Sequence, residues 1–402
     1  MSGFLPYARQ VIEDDDIAAV EAVLRGEWLT TGPKVEAFEA ALAKTVGAKH
    51  AVVCNSGTAA LYIAVRAASL APGDKVIVPS VTFLATASAN VLAGLEVIFA
   101  DVDPDTGLMT TDHAAEALCR GGKGVKAVFP VHLGGRVENP HALRAFADAN
   151  GLVVIEDACH ALGTRYGNAV HPVGGCNDSL AACFSFHPAK TIAMGEGGAV
   201  TTNSDDVAHQ ARLIRNHGMT REPAAFVNRG LAFAADGSPN PWYYEADTIS
   251  HNFRASDINC ALGLSQLAKL ETFLTGRRRL ADLYEKQLAP LAPVVRYVAG
   301  TPGDQHGWHL CTVLIDFPAA GLDRRSLMEK LKARGVGTQV HYIPVHAQPF
   351  YRRRYGEQYL PGAMAYYERT LSLPLYPSMT DGDIGHVVNA LAESLNLSES
   401  AI

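Results

Sequence analysis

Short apolar runs alternate with helical patterns through the first half of the chain. Runs rich in Val, Ile, Ala and Phe are typical of strands buried on both faces of a parallel sheet. Such runs lie at residues 51–54, 75–78, 96–99, 126–129, 152–155 and 180–186, and a short one follows at residues 198–202. Amphipathic helical spacing appears at residues 14–25 and 34–46. The alternation predicts an α/β fold, in which a mostly parallel seven-stranded sheet carries helices on both faces.

The pattern changes after residue 220. Residues 221–247 mix Pro, Gly, Asn and aromatic residues without a clear period, which predicts a long loop of the kind that is usually functional or flexible. The patterns that follow are helices at residues 256–273 and 277–288, then strand, helix and strand at residues 308–316, 325–334 and 339–343. We therefore expect a large domain with an N-terminal arm over residues 1–264 and a smaller C-terminal α+β domain over residues 265–402.

Composition and charge exclude several classes of protein. The chain has 402 residues, of which 48% are hydrophobic and 19% charged, as in globular proteins. Its net charge of −7 gives no electrostatic case for nucleic acid or an anionic membrane. Seven cysteines without CxxC spacing indicate reduced thiols. With no signal-peptide pattern and no apolar stretch of membrane-spanning length, we expect a cytoplasmic protein.

Lys190 is the first candidate for chemistry. It follows the apolar run at residues 180–186 and precedes a glycine-rich turn at residues 195–198. A lysine at a strand end can form a Schiff base with an aldehyde cofactor, because partial desolvation favours the neutral amine. The alternative is a surface lysine in a loop.

Asp157 is the second candidate, since it falls just past the apolar run at residues 152–155. Ligands collect at the carboxyl ends of strands in open α/β sheets. A carboxylate there can keep a pyridine nitrogen protonated, which makes a pyridoxal ring an electron sink. The alternative is an N-cap aspartate for a following helix.

Ser56, Gly57 and Thr58 join the first predicted strand to a helix rich in Ala and Leu. Backbone N–H groups at a helix start, together with two hydroxyls, suit a phosphate, although ordinary capping gives the same pattern. Phe83 can stack on a cofactor ring or belong to the core, and Ser185 can add a hydroxyl to the phosphate. With Lys190 and Asp157 these residues supply the anchors that pyridoxal 5′-phosphate needs.

The motifs around these anchors are similar to those of the DegT-like sugar-nucleotide aminotransferases, a family of fold-type I pyridoxal-phosphate enzymes. The resemblance extends from about residue 7 to about residue 377, with matching motifs at residues 28–33, 156–161, 185–198 and 251–254. It implies an aminotransferase that uses pyridoxal phosphate, an amino-acid donor, which is glutamate in most of the family, and a keto-sugar nucleotide as acceptor.

The resemblance also implies roles for single residues. Lys190 would hold the cofactor and carry a proton, Asp157 would face the ring nitrogen, and His160 would lie near the 3′-oxygen. Asn252 would reach across a two-fold interface to the cofactor phosphate of the partner subunit, which implies a homodimer with shared active sites. The alternatives are a histidine at a helix start for His160 and a local turn asparagine for Asn252.

Further matches narrow the family to one branch. Members of that branch aminate C4 of a UDP-linked 4-keto-6-deoxy sugar that bears an N-acetyl group, in pseudaminic acid synthesis. The positions that would contact the sugar nucleotide are Tyr7, Trp28, Thr30, His341 and Tyr342, and His187 would lie near the site. Packing of the N-terminal arm and of a small-domain strand is the alternative for these positions.

Three other functions compete with this one, and the sequence argues against two of them. One is transamination of a different 3- or 4-keto sugar linked to dTDP, GDP or UDP. Dehydrating relatives carry histidine in place of the Schiff-base lysine, so Lys190 argues against them. A non-catalytic pyridoxal-binding regulator would usually carry a basic DNA-binding module, and none is evident. No metal is expected, because His341 and His346 lie across a proline without rigid ligand spacing.

Overall fold

The computed structural model describes residues 3–397, and a seven-stranded sheet is its largest layer. Its strands are β1 (His50–Cys54), β2 (Lys75–Pro79), β3 (Glu96–Ala100), β4 (Val125–Val128), β5 (Val153–Asp157), β8 (Ala181–Ser185) and β9 (Gly198–Thr202). The spatial order is β1-β9-β8-β5-β4-β2-β3, and β9 alone runs antiparallel to its neighbours. The predicted mostly parallel α/β fold is confirmed.

Helices cover both faces of this sheet because its strands are apolar on both sides. In β1, Val52 packs into one core cluster and Val53 into the other, as the alternation of side chains along a strand requires. The helices of the first two-thirds of the chain are α1 (Asp14–Leu24), α2 (Pro33–Val46), α3 (Gly57–Ala67), α4 (Leu84–Leu92), α5 (Thr111–Gly121), α6 (Pro140–Ala149), α7 (Asp205–Arg215), α8 (Arg229–Ala232) and α9 (Asp257–Ala268).

A three-stranded antiparallel sheet organises the C-terminal part. Its strands are neighbours in chain order, and they pack with three helices around a separate apolar core, which Leu5 of the N-terminal arm joins. These elements and their neighbours are α10 (Leu270–Leu288), β12 (Val295–Tyr297), β13 (Cys311–Ile315), α11 (Phe317–Ala320), α12 (Arg324–Ala333), α13 (Pro349–Tyr355), α14 (Pro361–Arg369), β14 (Thr370–Leu373) and α15 (Asp381–Ser394). The predicted division into 1–264 and 265–402 stays a prediction, and its boundary falls inside α9.

Short elements fill the connections. Two-residue pairings join β6 (Arg165–Tyr166) to β7 (His171–Pro172) and β10 (Met219–Thr220) to β11 (Glu245–Ala246). The second pairing closes the ends of the segment 221–247, which is mostly irregular. No helix in the described part of the chain is long and apolar enough to cross a membrane.

Two predicted elements differ from the structure. The helix expected at residues 256–273 is divided at Lys269, where α9 ends and α10 begins, and the Lys269 ammonium binds Asp15 and Asp16 at the start of α1. The strand expected at residues 339–343 does not form. Only Gln339 pairs with Ser372 of β14, and the following residues leave the sheet to line a cavity.

Candidate active site

A cavity of about 600 Å³ lies at the carboxyl edge of the large sheet, within the usual size of a small-molecule site. One wall comes from the ends of β1, β5 and β8 and the turns that follow them. The opposite wall comes from the N-terminal arm and from residues 339–343, between α12 and β14. Predicted site residues that line the cavity are Tyr7, Ser56, Gly57, Thr58, Phe83, Asp157, His160, Ser185, His187, Lys190, His341 and Tyr342.

The start of α3 forms one end of the cavity. Ser56 is the N-cap of this helix, and its Oγ accepts a hydrogen bond from the N–H of Ala59 at 3.1 Å. The N–H groups of Gly57 and Thr58 lie in the first turn, where helix geometry gives no intrahelical acceptor. A Cβ on Gly57 would lie 2.7 Å from the Ser185 Cβ. Because Gly57 has no side chain, the first turn of α3 and the Ser185 hydroxyl can approach the same position, where an anion can bind.

Asp157 is buried at the end of β5 and is held from two sides. Its Oδ2 accepts a hydrogen bond from the Thr86 hydroxyl at 2.5 Å, and its Oδ1 accepts one from the N–H of Cys159 at 3.1 Å. The Thr82 hydroxyl lies 2.7 Å from that of Thr86. No helix follows β5, since residues 158–164 form turns. The helix-cap alternative for Asp157 and the helix-start alternative for His160 are therefore wrong.

Lys190 lies in the connection between β8 and β9. Burial lowers the pKa of its amine below the ordinary value, and the nearby Cys159 and Asp157 oppose that shift. The lowered pKa increases the neutral fraction of the amine, which is the form that attacks a carbonyl or takes up a proton.

The opposite wall is aromatic and neutral. The His341 Nδ1 lies 2.8 Å from the Ser372 hydroxyl, and the pKa of His341 falls to about 3 because of burial and the nearby Lys190. The Tyr7 ring lies 5.5 Å from that of His341. The Phe83 ring is 5.9 Å from that of Tyr342 and is 55% exposed, so an open aromatic face stands at the cavity.

Three predicted site residues lie outside this cavity. Asn252 is exposed, and its side-chain oxygen accepts a hydrogen bond from the N–H of Arg254 at 3.2 Å. Trp28 is 57% exposed. Thr30 is exposed and forms a bridge with Ser256. None of the three lines the cavity of its own chain, and the contacts predicted for them stay predictions.

The structure adds residues that the sequence analysis did not select. Thr86 contacts Asp157 from α4, and His309 lines the cavity beside His160. The sequence feature that could have identified Thr86 is its position in a helix that begins shortly after the end of a strand. His309 lies in residues 308–316, which the sequence pattern predicts as a strand, and no other sequence feature marks it as a site residue.

The arrangement fits pyridoxal phosphate. The start of α3 and Ser185 suit the phosphate, Asp157 suits a protonated ring nitrogen, and the amine of Lys190 suits the aldehyde carbon. All of them line one cavity, and the glycine at position 57 leaves room where a side chain would collide with Ser185. The fold and the site define an enzyme of the pyridoxal-phosphate-dependent class.

The chain belongs to the DegT/DnrJ/EryC1/StrS aminotransferase family, whose model matches residues 10–392. It is 39% identical to the Bacillus subtilis spore coat polysaccharide biosynthesis protein SpsC over 393 residues, and this match covers 97% of each of the two chains. The Helicobacter pylori aminotransferase PseC, involved in pseudaminic acid biosynthesis, has a TM-score of 0.88 at 27% identity, over 98% of this chain and 99% of PseC. The PLP form of the sugar aminotransferase Spr1654 of Streptococcus pneumoniae has a TM-score of 0.84 at 26% identity, and the match covers 99% of this chain and 100% of Spr1654.

The position of Lys190 predicts where the cofactor is attached. Purified protein should absorb in the visible range, and borohydride should abolish that band and fix the cofactor to the peptide that contains Lys190. Lys190→Ala should abolish turnover while phosphate and ring contacts still retain cofactor. Peptide mapping by mass spectrometry gives the attachment point, with Lys269→Ala as a control outside the cavity. A cofactor found on any other lysine would contradict the assignment.

The burial of Asp157 predicts a second variant. Asp157→Asn should keep the fold and bind cofactor but lose activity by about tenfold or more, because a charge-assisted hydrogen bond is worth about 1.5–3 kcal/mol. Steady-state kinetics at saturating cofactor measures the loss, and circular dichroism checks the fold. Near-normal turnover would show that Asp157 only orders the turn at Cys159.

Proposed function

We propose that the chain transfers an amino group from L-glutamate to C4 of UDP-4-keto-6-deoxy-N-acetyl-β-L-altrosamine, in pseudaminic acid-type nucleotide-sugar synthesis. The supporting observation is the wall of Tyr7, His341 and Tyr342, which lines the same cavity as Lys190. The structural likeness to PseC, an aminotransferase of pseudaminic acid biosynthesis, supports the same substrate.

The residues of the chain divide the work of transamination. Pyridoxal phosphate, when bound, supplies the electron sink that lets an amino group leave one carbon and join another. Lys190 Nζ would carry a proton at the Cα of the donor and at C4 of the sugar, since its lowered pKa increases the fraction of neutral amine. Asp157, held by Thr86 and the N–H of Cys159, keeps a proton on the ring nitrogen.

The aromatic wall supports a sugar as the acceptor. The rings of His341 and Tyr342 stand nearly perpendicular, with centroids 4.8 Å apart. Burial raises the pKa of Tyr342 well above its ordinary value and lowers that of His341, so both side chains stay neutral. Neutral hydroxyl and imidazole groups recognise hydroxyls and amides by direction, and a site built for one such group rejects an isomer that lacks it.

A second candidate is transamination of another 3- or 4-keto-deoxy sugar nucleotide. It is favoured by the 39% identity to SpsC, a protein of spore coat polysaccharide biosynthesis, which exceeds the 27% identity to PseC. Lys190, Asp157 and the start of α3 would act in the same way. Only the wall that faces the sugar would bind a different isomer.

We also propose that the working enzyme is a homodimer with shared active sites. Asn252 is exposed outside the cavity of its own chain, as a residue that serves a partner subunit would be. Several large apolar side chains are also open to solvent, and contiguous apolar exposure is typical of an interface. They include Trp28, Val227, Leu231, Trp242 and Ile249.

The substrate proposal is tested by competition. The UDP-linked L-altro 4-keto sugar, its D-gluco isomer and dTDP-4-keto-6-deoxy-glucose are offered to the pyridoxamine form of the enzyme. We expect the L-altro sugar to restore the aldehyde form fastest, by several orders of magnitude in kcat/KM over the others. A preference for either competitor would overturn the substrate and support the second candidate. Stopped-flow absorbance of the cofactor gives the rates.

The dimer proposal is tested by complementation. Lys190→Ala and Asn252→Ala should each be strongly impaired, yet mixing and refolding them together should restore some activity, because one site of the hybrid has both residues. Activity of the mixture against that of each variant alone is the measurement. Asn216→Ala, which changes the neighbour that bridges to Asn252, is the matched control. An active monomer at assay concentration would end the proposal.

A further inference from the structure

His309 is a buried residue of the cavity wall that no motif of the sequence includes. It is 4% exposed, and its ring centroid lies 4.3 Å from that of His160 at an interplanar angle of 51°. Its Nδ1 has no hydrogen-bond partner within residues 3–397. A buried polar atom without a partner calls for an explanation, and the contact with His160 points to one.

The turn at residues 133–135 holds His160 and His309 by hydrogen bonds. The N–H of Gly134 donates to the His160 Nδ1 at 3.2 Å, and the carbonyl of Gly134 accepts from the N–H of His309 at 2.9 Å. Gly134 and Gly135 have φ of 71° and 91°, in the left-handed region that favours glycine. A Cβ on Gly135 would lie 2.9 Å from the Trp308 nitrogen. The glycine pair therefore sets the separation of the two imidazoles.

The hydrogen bond from Gly134 also fixes the tautomer of His160. Because Nδ1 accepts, the proton of the neutral ring is on Nε2. The His160 Nε2 lies 3.1 Å from the hydroxyl of Tyr342 at the cavity wall. A protonated His160 would place an Nδ1–H against the N–H of Gly134, which are two donors without an acceptor. The geometry therefore opposes the charged form.

The surroundings of both rings oppose charge as well. Burial lowers the pKa of His160 and of His309 well below the ordinary value, and nearby cationic groups add to this effect. No carboxylate in the described part of the chain hydrogen-bonds either ring. The titratable or charged groups that face the pair are Lys190, Arg277, His341 and Tyr342.

Arg277 binds the segment that carries His309 by hydrogen bonds. Its guanidinium is fully buried and donates to the carbonyl oxygens of Trp308 at 3.2 Å and Leu375 at 3.0 Å. The bonds go to backbone acceptors and not to a carboxylate, so the positive charge stays close to His309. A positive charge there makes protonation of either histidine less favourable.

We infer that His309 is a positioning residue for transamination: its ring holds His160 as a neutral imidazole with Nε2–H directed at the Tyr342 hydroxyl. His309 fills the space beside His160 with a second neutral ring and so excludes water and counter-ions that would favour the charged form. Because the Nε2–H of His160 donates to the Tyr342 oxygen, the hydroxyl proton of Tyr342 stays free to donate to an oxygen of a bound ligand. The inference rests on the aminotransferase class of the chain and not on the identity of the sugar.

The first test measures the proton directly in the holoenzyme. Long-range ¹⁵N–¹H NMR of protein labelled at its 15 histidines, with His160→Gln to assign the signal, reports the tautomer. We expect His160 to show an unprotonated Nδ1 and a protonated Nε2 from about pH 5.5 to about pH 9, a range in which an ordinary histidine titrates. A protonated Nδ1, or a midpoint inside that range, would overturn the inference without bearing on the proposed substrate.

The second test uses two variants of almost equal shape. His309→Gln removes the ring but adds no charge, so His160 should stay neutral, and any loss of kcat/KM should be the same at every pH. His309→Glu places a carboxylate beside His160 and raises its pKa, so His160 should be charged at low pH. We expect kcat/KM of His309→Glu to be about tenfold lower than that of His309→Gln near pH 6, and the two values to converge as the pH rises. Equal losses in both folded variants, with unchanged His160 signals, would assign His309 a packing role only.

Discussion

The pairing of Gly198 with two strands is the constraint on which the site depends. In the antiparallel strand β9, Gly198 lies opposite Cys54 of β1 and Ser185 of β8. A Cβ on Gly198 would come within 2.2 Å of the Ser56 carbonyl oxygen and 2.7 Å of the Gly57 nitrogen. A bare glycine is therefore required where the start of α3 meets the strand that returns from Lys190. This contact joins the two parts of the chain that would hold the phosphate and the aldehyde of the cofactor.

Charge in the cavity is arranged around one buried carboxylate. Asp157 is fixed by a hydroxyl and a backbone N–H, so its orientation does not depend on a nearby cation. The imidazoles of His160, His309 and His341 are all buried and have lowered pKa values. Neutral donors and acceptors can thus surround a polar ligand while Lys190 keeps a reactive amine. Water-excluded dipoles of this kind act strongly because they need no reorganisation during the reaction.

The carboxyl edge of the large sheet, where the site residues lie, belongs to a sheet with an apolar core on each face. Residues of β1 and β8 alternate between the clusters on the two faces of the large sheet, which fixes the direction of each strand end. The other wall comes from the segment between α12 and β14, next to the core of the small sheet. Because the site uses both parts, a change in their packing would move Tyr342 relative to Lys190.

The sequence alone determined the strands of the large sheet and the strand-end positions of Lys190 and Asp157, because buried parallel strands are continuous apolar runs and ligand groups follow their ends. Only the tertiary structure decided which strand runs antiparallel, since apolar pattern carries no direction. It also brought Thr86 to Asp157 and His309 to His160, contacts between residues 71 and 149 positions apart in the chain. Residues 339–343 have a strand-like pattern but line the cavity, because only Gln339 finds a partner in β14. Local pattern reports which residues are apolar, whereas contacts of distant residues depend on how the whole chain packs.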